Sequence, residues 1–375
     1  MKKNRFMITK FVLNTIFTIA LKVLSLVIFL ITIMASYAGH VNPELWALPS
    51  ILSLPLPYFA GATLILTLIW VIRRKIVFSF LGVGTILLCM PAMSQAFPIS
   101  FPKKAEAGEK TFKLLTWNIL HTQDQEQPDN PQNRAITFLT ECGADIICLQ
   151  EMDALDKRDI RHWTPELEAN LRKVYPYEAG IVGNDGKILS KYPLKMISNP
   201  TSIGHNGRDL LEVEVNIDGH KVHILNVHLA SYSLTSEDKE IIDEIRDTRS
   251  AKASVREFKA SVLDKLKAAF RVRARNAQEI RDIIDATPGN VIVCGDFNDV
   301  PTSWAYRTVR GKDLEDAYAQ TSFGPTFTYN AHHFYFHIDQ LLYRGDLKAL
   351  SVKKEKIRSS DHYPLMATFA FPDNN

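Results

Sequence analysis

Two kinds of apolar patterning divide this chain. Up to residue 94 apolar residues run almost unbroken, in three stretches at about Phe11–Ser36, Ile51–Ile72 and Ile76–Met93. Each approaches or exceeds the ~18–20 residues that cross a bilayer core. A cleaved secretory signal has one short apolar region, so three predict a permanent anchor of about three transmembrane helices. A buried helical hairpin in a soluble protein is the competing reading. Against it, only Lys22 and Glu44 carry charge between Phe11 and Ile72.

Past residue 111 the pattern changes to short β-branched runs separated by helical-period stretches. Strands are expected at Phe112–Trp117, Asp145–Gln150, Lys187–Ser190, Leu210–Val215, Lys221–Val227, Val291–Cys294, His337–Tyr343 and Leu365–Phe371. Several are continuously apolar, as in strands covered on both faces. Helices are expected at Asn133–Glu141, Pro165–Arg172 and along Ser236–Ala286. The mixture predicts an α/β fold, a four-layer α/β sandwich of two stacked sheets with helices outside. The organisation is then an anchor over residues 1–94, a linker over 95–111 and one domain over 112–375, long enough for a sizeable core.

In the longest helical stretch Val255, Phe258, Val262, Leu266 and Phe270 form an apolar stripe. Lys252, Arg256, Lys259, Lys265, Lys267, Arg271, Arg273 and Arg275 decorate the rest. They read as the solvated face of a helical hairpin packed on the domain, with contact to an anionic membrane or substrate as the alternative.

Charge adds orientation. Lys2, Lys3, Arg5 and Lys10 precede the first span and Arg73-Arg74-Lys75 separates the second from the third, whereas Tyr37–Ser50 holds no Lys or Arg. The positive-inside rule then makes the N-terminus and the Arg-Arg-Lys turn cytoplasmic. Three crossings put the domain outside the cytoplasmic membrane. The third span, with Gly82, Gly84 and Pro91, is the shortest; were it only to dip into the bilayer, the domain would be cytoplasmic. The whole chain carries +3. Residues 1–94 hold eight Lys or Arg and one Glu, so the remainder is −4. An acidic domain does not suit a general duplex-DNA binder, whose affinity comes from phosphate neutralisation. The four cysteines include no Cys-x-x-Cys pair, which argues against a zinc site and for buried free thiols. A Cys148–Cys294 disulfide would require neighbouring strands.

The chemistry lies at strand ends. Thr116-Trp117-Asn118, Leu149-Gln150-Glu151, Gly295-Asp296-Phe297-Asn298 and Ser360-Asp361-His362-Tyr363-Pro364 each follow or border an apolar run. A hard cation such as Mg2+ takes oxygen ligands, with one or two carboxylates among them. Asn118, Glu151 and Asp361 are the candidate metal ligands. His362 needs a partner to set its tautomer, and Asp339 is the candidate. Asp296 and Asn298 alternate about Phe297, as Asn226 and His228 alternate about Val227, so β geometry would aim each pair into one site.

This ordered set resembles the endonuclease/exonuclease/phosphatase superfamily, with its deoxyribonuclease-I-like fold. The resemblance runs from about Phe112 to Phe371 and includes Ile188-Leu189-Ser190-Lys191-Tyr192-Pro193, Asn226-Val227-His228-Leu229 and Ile338-Asp339. It implies Glu151 as main metal ligand with Asn118 and Asp361, and Mg2+, or alternatively Mn2+, as cofactor. It implies His362 as base or phosphate-polarising group, held by Asp339, and His228 as a second catalytic histidine. Asp296 would handle the nucleophilic water or the leaving-group proton, with Asn298 and Asn226 on phosphate oxygens. The family's expected aromatic after Asp339 is Gln340 here, and His332, His333, Phe334, Tyr335, Phe336 and His337 precede it. The anchor plus this domain looks like a membrane-tethered bacterial subgroup. The expected activity is phosphodiester hydrolysis, on a phospholipid head group or organic phosphate before nucleic acid. A nonspecific extracytoplasmic nuclease and a catalytically silent binding domain displayed at the bilayer are the alternatives.

Overall fold

The computed structural model describes residues 2–122, 134–152, 165–180, 186–197, 201–202, 209–232, 252–331 and 335–372. Its first part is helical: α1 (Lys2–Ser36), α2 (Leu48–Ser53), α3 (Leu56–Ile72) and α4 (Ile76–Ala96). Two segments are long and apolar enough to cross a membrane, Lys10–Ser36 and Ile76–Ala96. The segment expected to be weakest, α4, is thus a full-length one and continues through Pro91. The middle stretch is instead interrupted at Leu54–Pro55, which leaves α3 with 17 residues. Proline supplies no amide hydrogen and clashes with the preceding turn, which accounts for the break there.

Polar pairs set the order of these helices. Thr32 and Thr63 share a hydroxyl contact of 2.8 Å, and the Trp70 indole donates to Ser25 at 2.8 Å. Arg73 donates to Thr18 at 2.9 Å, and the Tyr37 hydroxyl to the Leu88 carbonyl at 3.0 Å. The Arg73–Lys75 turn therefore lies toward the start of α1, and the ends of α1 and α4 lie together at the opposite end, beside the domain.

Residues 98–103 run along the domain: Ser100 donates to Ser322 at 3.0 Å, Lys103 to Leu350 at 2.7 Å, and Ile99 bridges Phe323. Two sheets follow. The strands β1 (Lys110–Asn118), β2 (Ile146–Gln150), β3 (Tyr177–Ala179), β4 (Lys187–Ser190), β12 (Lys348–Lys354) and β13 (Leu365–Phe371) form one, in the order β12-β13-β1-β2-β4-β3. The second contains β5 (Leu194–Met196), β6 (Thr201–Ser202), β7 (Asp209–Ile217), β8 (His220–His228), β9 (Asn290–Asp296), β10 (Glu315–Asp316) and β11 (Asp339–Arg344). Its order is β10-β11-β9-β8-β7-β5, with β6 on β7. Helices α5 (Arg134–Glu141) and α6 (Pro165–Val174) cover the first sheet; α7 (Lys252–Ala286) and α8 (Trp304–Arg310) cover the second. A short α9 (Ala317–Thr321) follows β10.

The four layers follow from period-two alternation within continuously apolar strands. On β2, Ile146 and Cys148 enter the core between the sheets, while Ile147 and Leu149 meet α5 and α6. On β9, Ile292 and Cys294 face the same core, and Val291 and Val293 meet α7 and α8. Cys148 and Cys294 are thus in facing sheets, and both thiols are free. The stretch drawn as Ser236–Ala286 is one unbroken helix from Lys252; residues 236–251 lie outside the described residues, as do the side chains of Lys252, Val255, Arg256, Phe258 and Lys259.

Candidate active site

Two parallel pairings bring strand ends to one rim. Asn118 on β1 is level with Gln150 on β2, and His228 on β8 is level with Asp296 on β9. The antiparallel neighbour β11 enters at Asp339, opposite Asp296. Gly295 permits the close pairing of β9 with β8: at φ +132°, an added Cβ would sit 2.0 Å from the Val227 carbonyl oxygen. No other residue fits there.

Asp339 Oδ2 and His362 Nδ1 are 2.8 Å apart, both residues buried. The imidazole is held from several sides. Trp117 donates its indole N–H to the His362 carbonyl at 2.9 Å, and the Ser360 hydroxyl accepts from the His362 amide at 3.1 Å. The Tyr329 ring packs edge-on with a centroid distance of 5.1 Å. His362 Nε2 and His228 Nε2 each lie 3.6 Å from Asp296 Oδ2, and His228 Nε2 lies 3.8 Å from Glu151 Oε1. Asp296, Asp339 and His362 gather ligand-capable atoms within 4.8 Å of one another.

Electrostatics follow from this crowding. Burial disfavours a charged imidazole at His362, but Asp339 and Asp296 outweigh it and raise the pKa to about 10. Burial pushes Asp296 up to about 6, aided by Asp339 and opposed by His362 and His228. At neutral pH the arrangement is therefore an imidazolium beside a carboxylate that ionises with difficulty.

Three of the expected residues make hydrogen bonds within the rim. Asn118 directs its Nδ2 at Glu151 Oε1 and Asp296 Oδ2, both at 3.1 Å, while its Oδ1 accepts from Leu120 N. It bridges two carboxylates as a donor in this arrangement. Asn226 is 1% exposed; it donates to the Leu149 carbonyl at 2.7 Å and accepts from Gln150 at 2.6 Å. Both ends of the amide clamp the two sheets together. Asn298 donates to the Leu229 carbonyl and to Asp296, and its amide N–H reaches Asp296 Oδ1 at 2.7 Å. It holds the carboxylate instead of presenting donors outward. Nor is its geometry extended: β9 ends at Asp296, and Asn298 has φ +50°. Phe297 does enter the core.

Asp361 is half-buried and meets the rim through Ser360, whose hydroxyl is 2.7 Å from the Asn118 carbonyl and 3.4 Å from Asp361 Oδ1. Glu151 itself has φ +54°, and Leu120 and His121 opposite it are also left-handed. Non-glycine residues in that region carry strain that clusters at functional sites.

Sequence reasoning missed two residues. His121 Nε2 lies 3.4 Å from Glu151 Oε2, brought there by the folded-back turn after β1. Arg273, grouped with the solvated basic face, is fully buried. Its Nε is 3.6 Å from Asp299 Oδ2, its Nη1 donates to the Asn298 carbonyl, and its guanidinium lies 4.2 Å over the Tyr232 ring. The only signal was its place in register with Phe270 and Ala277 on the packed face of α7. Of the His332–His337 run, His332, His333 and Phe334 lie outside the described residues; Tyr335 is exposed, and His337 is buried against Tyr318.

A two-sheet sandwich whose rim gathers a His–Asp pair with further carboxylates is the scaffold of a phosphoester hydrolase. A family model described as the Endonuclease/Exonuclease/phosphatase family matches residues 115–362, and the chain belongs to that family. Enzymes of this family typically depend on a divalent metal. A second model, described as a domain of unknown function, matches residues 9–96. No curated protein matches. Similar solved structures include truncated TDP2 of Caenorhabditis elegans, at 20% identity over 70% of this chain and 98% of that one, TM-score 0.46. An endonuclease/exonuclease/phosphatase of Beutenbergia cavernae is 16% identical over 70% and 72%, TM-score 0.47. One of Bacteroides vulgatus is 16% identical over 70% and 100%, TM-score 0.46.

Proposed function

We propose that this chain is a membrane-anchored, Mg2+-dependent phosphodiester hydrolase whose domain lies outside the cytoplasmic membrane. The observation that carries the catalytic reading is the Asp339–His362 pair at 2.8 Å, converging on Asp296 beside Glu151. The donor set suits a hard divalent cation. It is made of the carboxylate oxygens of Glu151 and Asp361, with no thiolate among them. Glu151 would hold the ion with Asp361 nearby, and Asn118 would orient Glu151. A charged imidazolium is no ligand, so His362 stays outside that set. When bound, the ion polarises the phosphoryl group and supports the departing oxygen.

The chain's own groups then divide the work. His362, kept protonated by Asp339, donates from Nε2 to a phosphoryl oxygen as negative charge grows there. Asp296, ionised at neutral pH and steadied by Asn118 and Asn298, accepts a proton from the attacking water. His228 stands on the other side of Asp296 as a second donor. The −4 charge of the soluble part favours a phospholipid head group or small organic phosphate over duplex DNA.

A panel of phospholipids, organic phosphates and nucleic acids with Mg2+ or Mn2+ tests this. Turnover of a lipid or small phosphodiester that Glu151→Ala abolishes is the expected result. Cleavage of supercoiled plasmid alone would make the chain a nuclease, and no turnover of any phosphoester would leave a binding domain.

A further inference from the structure

The domain meets the helical bundle beside the end of α1. The 3-10 turn Ala38–His40 approaches α8 so closely that a Cβ on Gly39 would lie 3.0 Å from the Ser303 carbonyl oxygen. Glu44 in the next loop pairs with Arg275 of α7 at 2.8 Å. Between the two parts is a cavity of about 240 Å³, lined on the helical side by Tyr37, His40 and Gln95 and on the domain side by Thr302, Arg307 and Arg310.

Its charge is unbalanced. Among the described residues no carboxylate pairs with Arg307 or Arg310 within 4.0 Å, and Arg310 Nε is buried without a hydrogen-bond partner. His40 cannot balance them; burial and then Arg307 push its pKa down. The end of the bundle where the cavity opens also exposes apolar side chains. Ile99, Phe101 and Phe323 are each more than 60% exposed beside the end of α4, and Trp46 is half exposed in the preceding loop. Below the cavity α4 exposes Leu81 and Leu88. Aromatic and apolar side chains at this level mark the head-group boundary of a bilayer.

We infer that this cavity binds an anionic phospholipid, with its phosphate on Arg307 and Arg310 and its acyl chains along the Leu81–Leu88 face of α4. Two guanidiniums suit a phosphate's geometry, and basic pockets at the ends of membrane helices select anionic head groups. The occupant is a resident lipid at a place separate from the rim holding Glu151 and His362. The inference rests on the membrane-anchored reading above.

Native mass spectrometry of the full chain in detergent, offered equal phosphatidylglycerol and phosphatidylcholine of the same acyl length, reads it directly. Phosphatidylglycerol should be retained about tenfold over phosphatidylcholine. Arg307→Gln with Arg310→Gln should remove that preference. Gln95→Glu, which leaves α8 untouched, should do the same by placing a carboxylate against the arginines. Glycerol 3-phosphate should compete poorly, which separates a lipid from a free phosphate. Equal retention of both lipids, full displacement by glycerol 3-phosphate, or an unchanged preference in Gln95→Glu overturns the inference. Glu151→Ala should keep the preference, so loss of turnover and loss of lipid are read apart. Release of the chain from membranes by alkaline carbonate would instead sink the anchor.

Discussion

The two parts of this chain hide polar groups in opposite ways. In the helical bundle the large apolar residues face outward: Phe11, Leu30, Ile72, Phe80 and Leu87 are each more than half exposed. Most of its buried hydroxyls return to their own helix, and a few of them also meet a neighbouring helix. Ser25 donates to Leu21, Thr32 to Ile28, Thr67 to Thr63 and Thr85 to Leu81. In the domain the apolar residues are inside, and the buried polar groups include charged ones such as Arg273, Asp296, Asp299 and Asp339. Their partners are remote: Asn118 reaches Asp296, and Asp339 reaches His362 from another strand. A hydroxyl bonded four residues back is satisfied as soon as its helix forms. A buried charge is satisfied only when the whole sandwich closes. The bundle's interior is mostly local, with long-range contacts such as Ser25–Trp70 added to it, and the site's is a property of the fold.

The comparison breaks most sharply at His362. His362→Ala should cost about a thousandfold in kcat, because it removes the donor to the developing charge, and should also lower the thermal transition, because it leaves the buried Asp339 carboxylate unpaired. Asp339→Asn keeps the geometry and should cost about 10- to 100-fold, since it orients another group. An equal or greater loss for Asp339→Asn would contradict that division. Arg273→Met comes next, in stability. It strands Asp299, whose carboxyl burial has already pushed up to about 6, and should cost about 3 kcal/mol in denaturant unfolding. A loss under 1 kcal/mol would show Arg273 to be packing rather than pairing.

Asp296 gives the pH arm of the contrast. Its folded pKa of about 6 stands above an unfolded value near 3.9. The fold therefore binds that proton more tightly than the unfolded chain. The stability this contributes is full below pH ~4 and is lost as pH rises through ~6, by about 3 kcal/mol. Asp296→Asn removes the ionisation, so in EDTA the variant should outlast the wild type at pH 7.5 by several degrees, with the gap closing toward pH 4. The same substitution should abolish turnover, a stability–activity trade typical of strained sites. Added Mg2+ should raise the wild-type Tm more at pH 7.5 than at pH 5. A gap that does not change with pH would remove Asp296 as the buried acid.

The same contrast explains what the sequence made legible. Strands such as Ile146–Gln150 and Asn290–Asp296 stand out because both faces are buried, and their polar ends follow directly. The polar ends of such strands point to one rim, where His228, Asp296, Asp339 and His362 lie together. Short edge strands, Tyr177–Ala179 and Leu194–Met196, bury too little to leave a pattern. The hydrogen bonds of Asn118 and Asn226 are not legible in the sequence for another reason. An amide's two ends differ in chemistry, and which end faces the site depends on partners such as Leu120 and Gln150 that only the closed fold supplies. Arg273 was hidden by its neighbours, since a basic helix face does not announce the one residue turned inward.

The smallest effect belongs to the bundle. Ser25 and Trp70 are both fully buried, and the Ser25 hydroxyl accepts from the indole while donating to Leu21. Ser25→Ala leaves the indole N–H without its acceptor and should lower bundle stability by about 1 kcal/mol, as for interhelical hydrogen bonds in membranes. Trp70→Phe in the Ser25→Ala background removes the stranded donor as well, so the double variant should lose less than the sum of the two single changes. Unfolding in detergent, followed by tryptophan fluorescence for the first variant and by circular dichroism for both, measures this. A Ser25→Ala loss as large as that of Arg273→Met would mean the bundle leans on a long-range polar contact as heavily as the domain does, and the distinction between the two interiors would fall.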